Sequence, residues 1–159
     1  SACTISINIY SIIMNNRIYI YTDGACKGNP GPGGWGALLK YNEHQKEING
    51  FCLETTNNIM ELTAVIEALL IIKKKSDITI ITDSNYVKDG ITKWISNWKK
   101  RGWKTSNKKP VKNKNLWEKL DTLTSNHNIK WEWVRGHTGN PGNEKADQLA
   151  NDAIISNLS

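Results

Sequence analysis

The chain has 159 residues, 38% hydrophobic and 23% charged, with a formal net charge of +6. That length suits one domain with a real core, and the composition excludes a disordered chain, while no apolar run approaches the ~20 residues of a membrane span. Three cysteines without CxxC spacing argue against a disulfide framework or a zinc site, so a reducing cytoplasm is the expected setting and a polyanion the expected partner.

Residues 1–16 carry no charge and lack the basic region of a signal peptide. They are expected as an N-terminal extension, with Met14 a candidate start, before a domain spanning 17–159. Residues 17–22 are β-branched and aromatic and predict a strand that stops at Asp23-Gly24. Alternation puts Asp23 on the face of Tyr19 and Tyr21. A carboxylate at the end of a central strand suits a metal ion, although Asp-Gly also suits a hairpin turn.

Residues 27–34 (Lys-Gly-Asn-Pro-Gly-Pro-Gly-Gly) predict a loop. No Gly-Lys-Ser/Thr follows, so it is not a phosphate-binding P-loop. Residues 35–40 and 46–53 predict two strands of an antiparallel meander, turning at Asn42-Glu43-His44. Thr55-Thr56-Asn57-Asn58 predicts the cap of a deeply buried helix over 59–72. Glu61 lies in its first turn, where it fits either a capping box with Asn58 or a site.

Residues 78–82 predict a strand buried on both faces, ending at Asp83-Ser84. A strand, a buried helix and a strand imply a right-handed crossover. If the two strands are neighbours, Asp23 and Asp83 sit together at their carboxyl ends, where open α/β sheets carry their sites. A further helix is expected from Asn85 to about Gly90.

Between Asp89 and Glu118 every charge is positive: Lys93, Lys99, Lys100, Arg101, Lys104, Lys108, Lys109, Lys112 and Lys114. Trp94, Trp98, Trp103 and Trp117 are interleaved with them. A charge run is commonly a solvated face, and tryptophans four apart commonly pack in a core. The unbalanced block favours nucleic acid, with lysine for phosphates and aromatic faces for sugars or bases. A helix is expected over 115–126 and a last strand over 129–134. His137 then stands between Gly136 and Gly139, a loose setting that suits a proton carrier. Asn140-Pro141 opens a closing helix with the stripe Ala146, Leu149, Ala150, Ala153 and Ile154. Asp147 lies beside that stripe.

Asp23, Glu61, Asp83 and Asp147 form one candidate set. Crowded carboxylates repel one another unless cations sit among them. All-oxygen ligands favour Mg²⁺ or Mn²⁺ over Zn²⁺. Two such ions about 4 Å apart can clamp a phosphodiester.

The motifs now carry a resemblance. They are residues 21–26 (Tyr-Thr-Asp-Gly-Ala-Cys), 28–34, 56–62 (Thr-Asn-Asn-Ile-Met-Glu-Leu), 82–87 (Thr-Asp-Ser-Asn-Tyr-Val), 98–104, 133–139 (Trp-Val-Arg-Gly-His-Thr-Gly) and 143–150. In order and spacing, over about 17–155, the chain resembles the type 1 ribonuclease H family of bacteria (ribonuclease HI). The resemblance implies a ribonuclease H-like α/β fold: a mixed five-stranded sheet of order 3-2-1-4-5 with helices on both faces. It implies a monomeric endonuclease cutting the RNA strand of RNA–DNA hybrids by two-metal-ion catalysis, leaving 5′-phosphate and 3′-hydroxyl ends. By position, Asp23, Glu61, Asp83 and Asp147 are the expected metal ligands and His137 the proton carrier. Cys26, Asn29, Asn57 and Asn85 are the expected minor-groove readers, and Thr56 the grip on a DNA phosphate. The segment 93–114, with Trp94, Trp98, Lys99, Lys100, Arg101 and Asn113, matches the family's basic protrusion. Glu54 and Ile59 depart from the arginines common among relatives, and Asn85 from a common glutamine. A catalytically idle hybrid-binding module could do without the four acids. Other nucleases and strand-transfer enzymes of the wider superfamily usually lack the arm.

Overall fold

The computed structural model describes residues 16–135 and 139–158. The strands are β1 (Ile18–Cys26), β2 (Gly31–Tyr41), β3 (His44–Thr55), β4 (Asp77–Thr82) and β5 (Asn128–Trp133). The helices are α1 (Asn57–Ile71), α2 (Asn85–Asp89), α3 (Ile95–Lys100), α4 (Lys114–Ser125) and α5 (Pro141–Leu158), with a π-helical turn, Gly90–Trp94, joining α2 to α3. They build one mixed sheet of order β3-β2-β1-β4-β5, as expected from the sequence. The first three strands form the antiparallel meander, and β4 and β5 run parallel to β1.

Two local expectations need correction. The first strand does not stop at Asp23-Gly24. Its parallel pairing with β4 ends at Tyr21, but its antiparallel ladder with β2 continues to Cys26. The predicted glycine-rich loop likewise ends early, because Gly31 already opens β2. Of the loop's glycines, Gly34 is a strand residue kept bare for the last helix, as is Gly36 in the strand that follows. A Cβ on Gly34 would lie 2.2 Å from the Ala150 carbonyl oxygen, and one on Gly36 would lie 2.4 Å from that of Ala146.

Helix α1 packs on one face of the sheet and α5 on the other. Asp23 and Gly36 share a rung and therefore a face, the α5 face. Gly24, one residue on, points to α1. The core lies between α1, α4 and the sheet, with Ile20, Leu62, Val65, Leu69, Ile78, Ile80, Trp117 and Leu120 fully enclosed. Thr56 is the N-cap of α1, its hydroxyl accepting from the Ile59 N–H at 3.2 Å. The expected Asn58–Glu61 capping box is therefore not formed. Ser84 caps α2 through the Val87 N–H at 3.2 Å, and the helical path runs past the expected stop near Gly90 to Lys100. Among the described residues no helix is long and apolar enough to cross a membrane.

Candidate active site

The parallel register of β1 and β4 pairs Tyr21 with Ile81, so continuing it two residues sets Asp23 beside Asp83. Glu61 arrives from α1. That helix touches β1 backbone to backbone, because a Cβ at Gly24 would stand 2.5 Å from the Glu61 nitrogen and 2.6 Å from the Met60 carbonyl carbon. The bare glycine thus lowers the first turns of α1 onto the strand and delivers Glu61 to its neighbour, Asp23. One carboxylate oxygen from each of Asp23, Glu61 and Asp83 lies within 4.8 Å of the others.

Burial makes this cluster electrostatically costly. Asp23 and Glu61 are 9% and 5% exposed. Desolvation, reinforced by the charge of Asp83 and by a hydrogen bond to and the charge of Asp147, pushes the Asp23 carboxyl up to about 8, against a partial counterweight from the Gly24 N–H. That N–H donates to Asp23 Oδ1 at 2.9 Å. Glu61 is raised well above its ordinary value by burial first, then by the charges of Asp23 and Asp83. Its Oε2 is buried without a hydrogen-bond partner. An orphaned carboxylate oxygen among other carboxylates fits a hard divalent cation, since oxygen ligands and negative charge are what such an ion requires. The donor set contains no sulfur or imidazole that would favour zinc.

Asp147 closes the site from the other face. It lies in hydrogen-bonding contact with Asp23 and is one of the groups that raise it. Asn151 donates to Asp147 Oδ1 at 3.2 Å. Asp147 is not among the three whose oxygens converge within 4.8 Å. It lines a cavity of about 40 Å³ with Asp23, Asp83, Asn140, Asn143 and Glu144. Asn143 and Glu144 lie in the 143–150 motif but were not among the expected site residues, although they precede Asp147 by four and three residues, the helical spacing of neighbours on one face. Asn140 caps α5, its Oδ1 accepting from the Gly142 and Asn143 N–H groups at 3.0 and 3.2 Å. His137 lies outside the described residues.

The expected substrate-binding residues surround this centre unevenly. The Cys26 thiol donates to the Thr55 carbonyl at 3.4 Å, and Asn29 Oδ1 accepts from the Asn57 N–H at 2.8 Å. The first bond joins the end of β1 to the end of β3, and the second ties the loop after β1 to the start of α1. Asn57 and Asn85 are exposed. In the basic segment, Trp98 sits in an aromatic cluster 5.7 Å from Trp94, 6.4 Å from Trp103 and 5.6 Å from Trp117. Trp117 is fully enclosed, with its indole N–H on the Tyr86 hydroxyl at 3.0 Å. Its interleaving among lysines therefore belongs to the base of the arm and not to its surface. Asn113 Nδ2 donates to the same hydroxyl at 3.1 Å. Lys99 pairs with Asp121 of α4 at 3.2 Å, while Lys100 and Arg101 are exposed.

A family model described as RNase H matches residues 15–155. The chain is 63% identical over 139 residues to the ribonuclease H of Francisella tularensis subsp. novicida strain U112, covering 87% of this chain and 91% of that one. The ribonuclease H of Francisella philomiragia subsp. philomiragia is 62% identical over the same length and coverage. Among solved structures, LC9-RNase H1, described as a type 1 RNase H with the type 2 active-site motif, matches with TM-score 0.80 and 34% identity, over 91% of this chain and 74% of that one. LC11-RNase H1, solved in complex with an RNA/DNA hybrid, matches with TM-score 0.68 and 25% identity, over 89% of this chain and 99% of that one.

Proposed function

This chain belongs to the ribonuclease H family and is a nuclease, and from that premise we propose that it cuts the RNA strand of RNA–DNA hybrids internally, leaving 5′-phosphate and 3′-hydroxyl ends. The observation that carries the proposal is the convergence of Asp23, Glu61 and Asp83 within 4.8 Å, two of them buried, with Asp147 hydrogen-bonded alongside. In this reading the four carboxylates hold two Mg²⁺ ions, with Mn²⁺ a substitute. When bound, the ions supply the positive charge that makes water a nucleophile near neutral pH and neutralises the departing oxygen.

The protein's own groups supply the rest. The Gly24 N–H and Asn151 fix the orientation of Asp23 and Asp147, so that the oxygens need little reorganisation when substrate arrives. Asp83 is half-buried at the mouth of the cavity, where a phosphodiester can reach it. His137, by its matching position in the motif, carries the proton to the leaving group or from the water. Cys26, Asn29, Asn57 and Asn85 read the minor groove, where the 2′-hydroxyl separates RNA from DNA. Thr56 takes a DNA phosphate and the arm at 93–114 follows the DNA strand. Every acid of the cluster comes from a single chain, which supports a monomer as the working unit.

The test is incubation with labelled hybrid, duplex RNA and duplex DNA, with Mg²⁺ and then with chelator. The expected result is cleavage of hybrid RNA alone, stopped by chelator. Asp23→Asn or Asp83→Asn should abolish hydrolysis while hybrid binding survives, whereas His137→Ala should slow turnover without abolishing it. Cleavage retained by either aspartate variant overturns the assignment.

A further inference from the structure

A second, larger cavity adjoins the acids. It has a volume of about 290 Å³, and Asp83 lines both it and the acid cavity, so the two adjoin at that carboxylate. Its other walls include Ser84, Asn85, Lys88, Trp133 and Arg135. Strand ends fix this geometry. The Val134 N–H donates to the Thr82 carbonyl at 3.1 Å, one residue beyond the β4–β5 ladder, and so anchors the backbone that leads into Arg135. The Trp133 ring stacks on Trp131 at 5.2 Å with planes 8° apart, giving the cavity a rigid aromatic wall. Lys88 lies one helical turn beyond Ser84, its N–H bonded to the Ser84 carbonyl at 3.1 Å. Its exposed ammonium and the exposed Arg135 guanidinium therefore belong to one polar hollow beside the acids. The neighbouring acid, Asp89, engages Lys93 at 3.3 Å.

A hollow lined by two cations, two short polar side chains and an aromatic ring is built for an anion carrying a sugar. Its shared wall with the acid cavity, Asp83, says which anion. We infer that Lys88 and Arg135 clamp the phosphate next to the scissile one on the cleaved strand, with that nucleotide's sugar against Ser84, Asn85 and Trp133. This rests on the hybrid-cleaving reading above and names its subsite. The clamp sets the register of the strand over Asp83 and is separate from the arm at 93–114.

The test uses full-length protein and a hybrid with a single cleavage position, made with one uncharged methylphosphonate at each flanking linkage of the RNA strand in turn. For the wild type, neutralising one flanking phosphate should raise KM about tenfold, the scale of one charge-assisted hydrogen bond. Lys88→Gln should raise KM on the fully charged hybrid, leave kcat nearly unchanged, and lose less than the wild type at that linkage, while the Lys88→Gln/Arg135→Gln double variant should lose nothing further there. Lys88→Arg should restore KM, and Arg135→Gln should repeat the pattern. The salt slope of binding should fall by about one for each cation removed. Arm variants also lower that slope, but should stay sensitive to the methylphosphonate. An active wild type whose Lys88→Gln and Arg135→Gln forms keep their KM, or whose double variant still loses affinity at the neutral linkage, overturns the clamp alone. A wild type inert on every hybrid overturns the substrate reading and the clamp with it.

Discussion

Asp23 gives the centre a measurable signature. An aspartate titrates near 3.8 when unfolded, and here its carboxyl is held up to about 8. Between those values the folded state keeps a proton that the unfolded state has released. The protonated carboxyl therefore supports folding fully below about pH 4, and that support is lost as pH rises through about 8. Glu61 is shifted in the same direction. In chelator, the thermal midpoint should fall by several degrees between pH 5 and 8, since ~1 kcal/mol moves a domain of this size by about 2–4 °C. Asp23→Asn should flatten that fall, and calorimetry across the pH range checks it. Gly24→Ala makes a second prediction at this scale. With its Cβ 2.5 Å from the Glu61 nitrogen, backbone must move, at a cost of about 1–3 kcal/mol. Cleavage should drop more than that loss of folded protein explains, because the displaced backbone carries Glu61; urea melts beside kcat separate the two. These residues show how far the sequence could be read. The pairing of Asp23 with Asp83, a crossover apart, was legible from alternation and spacing, although β1 runs three residues past Asp23. Glu61 was not separable from a capping box by sequence alone, because the deciding contact is helix backbone on strand backbone at Gly24, which no periodicity encodes.

At the scale of elements, the basic segment divides into a packed base and a charged outer edge. The sequence shows tryptophans among lysines but not which way each ring faces. Trp117 turns inward because Gly90 leaves room for it; a Cβ there would lie 2.0 Å from the ring. Trp117→Ala should cost about 3–5 kcal/mol, as for other large buried aromatics, read from denaturant midpoints. Lys99, Lys100 and Arg101 changed together to Ala should leave stability nearly intact, since the exposed Lys99–Asp121 pair is worth at most about 1 kcal/mol. The same triple change should lower the salt slope of hybrid binding. An unchanged slope would remove the arm from the interface. The glycine-rich stretch before Trp35 is a loop as expected over 27–30 and a strand from Gly31, because composition marks a bare backbone but not whether a turn or, at Gly34, a docking helix requires it.

For the molecule as a whole, cation binding and folding are linked. Each carboxylate of the cluster comes from a different element: β1, α1, the end of β4 and α5. A cation bound among them in the folded state, and not in the unfolded chain, raises stability with its concentration. Mg²⁺ should therefore raise the thermal midpoint more at pH 8 than at pH 5, because protons compete for the same oxygens. Asp83→Asn should blunt that gain; differential scanning fluorimetry over a Mg²⁺ series reads both. The meander was legible from the residues and the β1–β4 crossover only if those strands were neighbours; the full order, with β5 beyond β4, came from the family resemblance, and the structure has that order.

The bare glycines of β2 that receive α5 have a consequence for birth order. Translation delivers Asp23, Glu61 and Asp83 well before Asp147, and the surface awaiting Ala146 and Ala150 stays uncovered until the final helix leaves the ribosomal tunnel. A nascent chain is thus an incomplete nuclease until α5 has emerged, armed only when that helix swings back across the second strand.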